Sequence, residues 1–287
     1  SPPVKAAFLS KVLNVAALDL ELHPVGAGRK KHDRDAADFV KFCLTEAIEG
    51  GWPGAVWSIL SGGLPDGYSL CEKVYGPETR GRWAGKWSLQ ALRPKDVGND
   101  IIIRTDRFRR VVDIQGLRYN AGQVFQPGLF LHWRNLPMFG APTGMSDFRA
   151  AYADYWMLDT AKKLRAVAVE KSSTPFIVGT YASTSQKPTL EEMLARVKSQ
   201  NWASVPEGVK VEALAIAGSA DAIFDNFERS RTHSIFLAIA GAILQNLEGT
   251  VEDGRGSSAV HKNTADRWVW FLAASLEATF NDRRQGV

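Results

Sequence analysis

The feature that most constrains this chain is a stretch with nothing in it to stop a helix. From Asp147 to Lys171 there is no glycine or proline. The Pro/Gly turn before it ends at Ser146, a suitable N-cap, and Asp147 puts negative charge in the first turn, where the helix dipole favours it. A helix over 147–171 would be about 37 Å long at about 1.5 Å per residue. Its apolar residues do not form one stripe. Phe148, Tyr152 and Tyr155 fall on one face, and Met157, Ala161, Leu164 and Ala168 on another. Arg149, Asp154, Asp159, Lys162, Lys163 and Arg165 run between them. Such a helix needs neighbours on more than one side.

At 287 residues the chain is long enough for one or two domains. Its hydrophobic fraction of 45% and charged fraction of 23% are those of a globular protein. No apolar run reaches the roughly 18 residues of a bilayer-spanning helix, so no membrane role is expected. The absence of methionine at Ser1 gives the expectation that the chain begins inside a longer protein. Cys43 and Cys71 are the only cysteines, and with no C-x-x-C pattern they give a disulfide scaffold or zinc finger little support. Two buried free thiols are expected. A net charge of +4 does not by itself point to nucleic acid. The basic cluster Gly28–His32 reads as a solvated linker.

The remaining elements follow from punctuation and period. Residues 1–34 are weakly patterned, with a helix or an extended arm over Ala6–Leu22. A helix is expected over Asp33–Gly50, stopped by Gly50-Gly51-Trp52-Pro53. A short one follows at Val56–Leu60, closed by Gly62–Gly67. From Tyr68 the period becomes two, with strands expected at Tyr68–Tyr75, Trp83–Leu92, Ile101–Thr105, Arg109–Ile114 and Leu129–Trp133. After the long helix come a strand at Phe176–Tyr181, a helix from a Thr189–Glu192 capping box to about Asn201, and a strand at Val209–Ile216. A second long helix is expected over Ala220–Leu247, a charged Gly-rich loop over Glu248–Ser258, and a last helix over Ala259–Asp282. There Trp268, Phe271, Leu272, Ser275, Leu276 and Thr279 form a stripe. The fold class is α+β.

Nothing in this order carries catalytic chemistry. Gly81–Ser88 approaches a phosphate-binding loop, but the spacing is short and Trp87 stands where Ser or Thr would bind magnesium. Gly26-Ala27-Gly28 lacks the third glycine of a dinucleotide fingerprint. No zinc-protease or nucleophile-elbow motif occurs. The five histidines have no metal-ligand spacing; each reads as a surface or satisfied core residue, and His132, ending a strand, is a possible site by position only. Glu191 and Glu192 are explained by helix capping. The expectation is no enzyme, no metal and no cofactor. The nine tryptophans serve mostly core packing, and some serve subunit interfaces.

Several segments resemble, in the same order, the portal proteins of tailed bacteriophages, specifically their Mu-like branch. They are Gly67–Glu72, Leu92–Lys95 with Phe108, Gly140–Ser146 with Arg149 and Tyr152, Glu170 through Pro175 to Gly179-Thr180-Tyr181, and Gly256–His261 with Thr279–Asn281. The resemblance covers the chain from about Asp38 onward. Members of that family continue beyond a point equivalent to Val287 into a crown.

The resemblance implies a ring, usually of twelve subunits, at one capsid vertex, with double-stranded DNA passing through its axis. It implies the portal fold: an N-terminal arm and wing over 1–145, stem helix 1 over 146–175, a clip over 176–217, stem helix 2 over 218–247, a tunnel loop over 248–258 and a wing or crown-base helix over 259–287. The implied partners are the major capsid protein, the terminase large subunit and then the head–tail adaptor. Glu248, Glu252, Asp253 and Arg255 become tunnel-loop candidates, Lys162, Lys163 and Arg165 channel-facing stem candidates, and Ser183, Gln186 and Lys187 adaptor-facing clip candidates. The loop's net negative balance fits a channel that passes DNA without gripping it, since six to ten phosphate contacts already give strong binding. Two other classes are weighed beside this: a DNA-processing enzyme of a mobile element, and a monomeric scaffold or adaptor.

Overall fold

The structure is a computed structural model and describes residues 1–24, 30–173, 176–200, 209–214, 219–241 and 255–282. The chain divides into two compact units, residues 1–155 with 232–287, and residues 156–231. The divisions fall inside two long helices, and each unit is described by itself.

The first unit opens with helix α1 (Pro2–Ala16), resolving the arm-or-helix alternative; Pro2 and Pro3 sit in its first turn, where a missing N–H costs nothing. Helix α2 (Lys31–Phe42) runs into a π-helical turn, Cys43–Ala47. Helix α3 spans Gly51–Asp66, far longer than the expected Val56–Leu60. The glycine–proline signals misled because Pro53 lies in the first turn, where proline is tolerated, and Pro65 lies at the end. Gly62 and Gly63 are interior. A Cβ on Gly63 would lie 2.4 Å from Trp133 Cε3, so the glycine lets an indole sit against the helix backbone.

Two three-stranded antiparallel sheets follow. The first has the order β2–β1–β6, from β1 (Tyr68–Pro77), β2 (Trp87–Lys95) and β6 (Phe130–Arg134). The second has the order β3–β4–β5, from β3 (Ile101–Thr105), β4 (Val111–Gly116) and β5 (Val124–Phe125). β2 starts later than expected and takes in Pro94, paired with Cys71. As an edge strand, β2 can carry a residue with no N–H to give. β4 also starts later, leaving Arg109 and Arg110 to a turn.

The alternation that marked β1 as a strand does not divide core from solvent. Cys71 joins the main core, with Val12, Val56, Ile59, Leu60, Leu131, Trp133, Leu272 and Leu276. Leu70, on the opposite face, packs with Ile101, Ile114, Phe125 and Phe130 of the second cluster. The central strand is therefore buried on both faces by helices on one side and a sheet on the other. Cys43 and Cys71 are free and buried, as expected, and burial pushes the Cys71 thiol up to about 12, which makes it inert.

The last helix of the first unit, α7, spans Arg255–Phe280, so helix begins inside the segment expected to be loop. Its buried stripe holds Leu272 and Leu276, with Ser275 hydrogen-bonded to Trp133. Phe271, placed on that stripe by sequence, is exposed.

The long helix α4 spans Asp147–Ser173, matching its sequence reading within two residues. The second unit continues with β7 (Phe176–Tyr181), a 3-10 turn at Thr184–Gln186, helix α5 (Lys187–Gln200) and β8 (Val209–Leu214), which pairs antiparallel with β7. Leu190 of α5 is buried against Gly179 of β7. Helix α6 spans Ser219–Ala240, seven residues short of the expected end. Gly241 stops it with φ at +72°, its N–H bonding back to the Leu237 carbonyl at 3.1 Å, a left-handed cap that glycine adopts freely.

Candidate functional site

Among the described residues no catalytic constellation is brought together. Among the described residues no group of three or more His, Cys, Asp or Glu side chains is placed to hold a metal ion, and no helix is long and apolar enough to cross a membrane. His132 is a buried core histidine, but it is not a satisfied one. Its Nε2 has no hydrogen-bond partner, and its ring meets Tyr68 edge-on at 6.1 Å. Burial, aided by the Arg134 charge and opposed by a hydrogen bond to the Pro142 backbone, pulls its pKa down to about 4. In the fold the imidazole packs edge-on against Tyr68.

The stem candidates lie in the second unit. Arg165 reaches across from α4 to α6, with Nη1 2.6 Å from Asp225 Oδ1 and 3.4 Å from Glu228 Oε1. It fastens the two helices. Lys163 pairs with Asp159 one turn earlier at 2.6 Å, and Lys162 is exposed. The three cations thus divide between a cross-helix clamp and exposed positions on α4.

The clip candidates are brought together by a turn that the sequence did not indicate. Ser183 and Gln186 form a reciprocal capping box at the start of the 3-10 turn, the Ser183 N–H donating to Gln186 Oε1 at 3.3 Å. That cap belongs to the 3-10 turn, which runs straight into α5 at Lys187, two residues before the expected Thr189. Glu191 lies 3.9 Å from Lys187, one turn back. Glu248, Glu252 and Asp253 lie outside the described residues. Arg255 is the first residue of α7.

What the structure adds is a buried polar hub in the first unit. Lys11 Nζ of α1 lies 2.6 Å from Asp147 Oδ2 at the start of α4, with both side chains at most 10% exposed. Asn135 Nδ2, just beyond β6, donates to Asp147 Oδ1 and to the Met145 carbonyl, each at 2.8 Å. The Lys11 ammonium also stands 5.1 Å from the centre of the Trp268 ring in α7. That indole packs on Gly241, where an added Cβ would come within 2.4 Å of Cδ1. Lys11, Asn135 and Asp147 satisfy one another, as buried charges must. Lys11 and Asp147 are 136 positions apart, and no local pattern announces them.

The surface of the long helices is equally informative. Among the described side chains of α4 only Asp147, Ala151, Leu158 and Ala161 are buried, whereas Tyr152, Trp156 and Leu164 are 65%, 60% and 57% exposed. Met157, Val167 and Val169 are exposed as well, as are Ile223, Phe227 and Leu237 on α6 and Trp270 on α7. An apolar groove of about 240 Å³ lies between the first turn of α1 and α4, lined by Val4, Phe148, Ala151, Tyr152 and Tyr155. Each apolar face read from sequence is therefore partly uncovered, at Tyr152 and Tyr155 on one and at Met157 and Leu164 on the other. Scattered exposed apolar residues are ordinary, but a run of large ones along connected helices marks an interaction surface.

No curated protein sequence matches the chain. Three solved structures share its fold. The neck of the native GTA particle computed with C12 symmetry gives a TM-score of 0.67 at 14% identity, over 96% of this chain and 75% of that one. The neck of the empty GTA particle computed with C6 symmetry gives 0.68 at 13% identity, over 97% and 76%. The virion of the native gene transfer agent particle gives 0.64 at 13% identity, over 96% and 75%. The profile of one family, described as the portal protein of Mu bacteriophage, matches residues 2–283. That match runs through both sheets, the long helices and the small β–α–β unit alike, and the chain belongs to the Mu-type family of phage portal proteins.

Proposed function

We propose that copies of this chain form a closed ring at one capsid vertex and that double-stranded DNA passes along its axis during packaging and ejection. The observation that carries this is the uncovered apolar surface of α4, α6 and α7. A ring of identical subunits joined head to tail supplies each helix with neighbours on two sides. The family is one of structural proteins rather than catalysts, and the neck of a gene transfer agent particle, similar in fold, was computed with C12 symmetry. A dodecamer is the ring we favour.

In this reading residues 1–145 are arm and wing, α4 and α6 the stem, residues 176–217 the clip, residues 248–258 the tunnel loop, and residues 259–287 a wing or crown-base helix. The capsid protein would meet the outside of the ring. The terminase large subunit and later the head–tail adaptor would meet the clip, near Ser183, Gln186 and Lys187. Lys162 and Lys163 face the channel, whereas Arg165 is committed to Asp225 and Glu228 and serves to hold the stem helices together. In the tunnel loop Glu248, Glu252 and Asp253 keep Arg255 from retaining phosphates.

Electron microscopy of the purified protein tests the proposal. The expected image is a ring with a central hole, with a sedimenting mass near twelve times 31.5 kDa. A particle that stays at 31.5 kDa at every concentration would overturn it in favour of a monomeric adaptor.

A further inference from the structure

The turn between β3 and β4 is built differently from the other loops of the first unit. Its sequence is Asp106-Arg107-Phe108-Arg109-Arg110. The Asp106 carboxylate accepts from the backbone N–H groups of Phe108 at 2.8 Å and Arg110 at 2.9 Å. The Asp106 N–H donates to the Arg110 carbonyl at 3.0 Å, and the Arg109 N–H to the Asp106 carbonyl at 3.0 Å. Arg109 is held in the left-handed region at φ +62°, which a long side chain adopts only when the surroundings impose it. Just below the tip, Arg104 and Asp113 join the two strands through paired hydrogen bonds of 2.7 and 2.6 Å. Both acids of this hairpin are thus consumed in holding its shape.

What the shape presents is a large apolar ring among cations. Phe108 is 63% exposed. The guanidinium carbons of Arg107 and Arg110 stand 4.7 and 5.8 Å from its centre. Among the described residues Arg107, Arg109 and Arg110 have no carboxylate partner. The face of the sheet behind the tip is mixed, with the Arg104–Asp113 pair nearest the tip and aliphatic side chains beyond it. The register sets Ile102 and Val124 on either side of Gln115, opposite the buried face of Ile101, Ile114 and Phe125. Ile102 and Val124 are exposed, and the irregularity beside Thr105 leaves Val112 exposed too.

We propose that this hairpin is a docking element for a protein whose carboxylates surround an apolar recess, with Phe108 as the anchor and Arg107, Arg109 and Arg110 pairing with the rim. Three arguments select that partner. Three cations without local acids call for an anionic surface. The exposed ring, with Ile102 and Val124 behind it, calls for an apolar counterpart, and an aromatic flanked by arginine is a common composition of an interface hot spot. Duplex DNA would take Phe108 only as a wedge between base pairs, at the cost of unstacking them, and a single strand would find only one ring on this tip to stack on, whereas a protein recess takes the ring without unstacking anything. The tip is ordered before contact, so binding loses little conformational entropy. The inference does not depend on the ring, since every residue in it belongs to one hairpin and its sheet.

The test selects binders from a random peptide library on the purified wild-type chain. Binders to the variant F108A/R107E/R110E are first removed. All three substitutions are at exposed tip positions and leave the Asp106 and Arg104–Asp113 bonds in place, and an unchanged melting temperature checks the fold. The expected result is an enriched set with Asp and Glu flanking Leu, Phe or Trp. Phe108→Ala alone should weaken its binding at least about tenfold, and raising salt should weaken the wild-type interaction. Enrichment of neutral or basic sequences, or no enrichment over the variant, overturns the proposal. So does tighter binding of an oligothymidine strand or a DNA duplex that the same substitutions abolish, which would make the hairpin a nucleic-acid contact. A change in oligomeric state on substitution also overturns it, by assigning the tip to contacts between copies.

Discussion

Acid should weaken the first unit through His132, and the size of the effect follows from its burial. The imidazole has an ordinary pKa near 6.5 in the unfolded chain and about 4 in the fold. Between these values the unfolded chain binds a proton that the folded chain refuses, so stability rises with pH across the window. His132's contribution is fully present above pH 6.5 and is lost as pH falls towards 4. A gap of about 2.5 pH units corresponds to about 3 kcal/mol. For a chain of 287 residues, at about 2.1 cal/mol/K of unfolding entropy per residue, that is about 5 °C in melting temperature. The assay compares wild type with His132→Phe, which keeps a ring against Tyr68 and removes the titration. Melting temperatures are taken at pH 7.5 and 4.5. Effects of all other groups are common to both proteins, so the difference of differences isolates His132. Wild type should lose about 5 °C more than the variant. Equal losses would refute the reasoning, by showing that Nε2 takes its proton in the folded state without penalty.

Four further outcomes are expected. Lys11→Met leaves the Asp147 carboxylate buried and unpaired and should cost about 3–5 kcal/mol in a denaturant titration, while Lys11→Met with Asp147→Leu should recover much of the loss. Gly241→Ala combines a strained φ with a clash on Trp268 and should cost at least about 1 kcal/mol, read as a lower midpoint. Arg165→Ala should cost less than about 1 kcal/mol despite two acidic partners, because the Asp225 side is open to water; a loss of several kcal/mol would show the clamp to be the main fastening of α4 to α6. Trp156→Asp with Leu164→Asp should leave the melting temperature of the monomer unchanged and abolish the ring, measured by sedimentation.

Sequence reading succeeded where one local rule decided the outcome. α4 was legible because nothing interrupts it, and β7 and β3 were legible from period and punctuation alone. It failed where a distant partner changed the meaning of a residue. Pro94 reads as a stop unless β2 is known to be an edge. Gly62 and Gly63 read as a turn unless Trp133 is known to lie on them. The start of α5 was misplaced because Ser183 and Gln186 cap a 3-10 turn that runs into the helix. The candidate site shows the same division. The uncovered apolar faces of α4 were visible in the spacing of its residues, whereas the hub of Lys11, Asn135 and Asp147 has no trace in any window of sequence. The pairing of Arg165 was equally hidden, because its partners lie sixty and sixty-three positions away.

The indole of Trp268 has a mechanical meaning. One end of it receives Gly241, where α6 stops, and its ring faces the ammonium that holds Asp147, where α4 starts. The two longest stretches of the sequence before α7 are thus moored to a single post. A twist applied at the end of α6 would bear first on the ring that stands beside the ammonium at the beginning of α4, so strain from one helix has a single aromatic side chain to cross before it reaches the other.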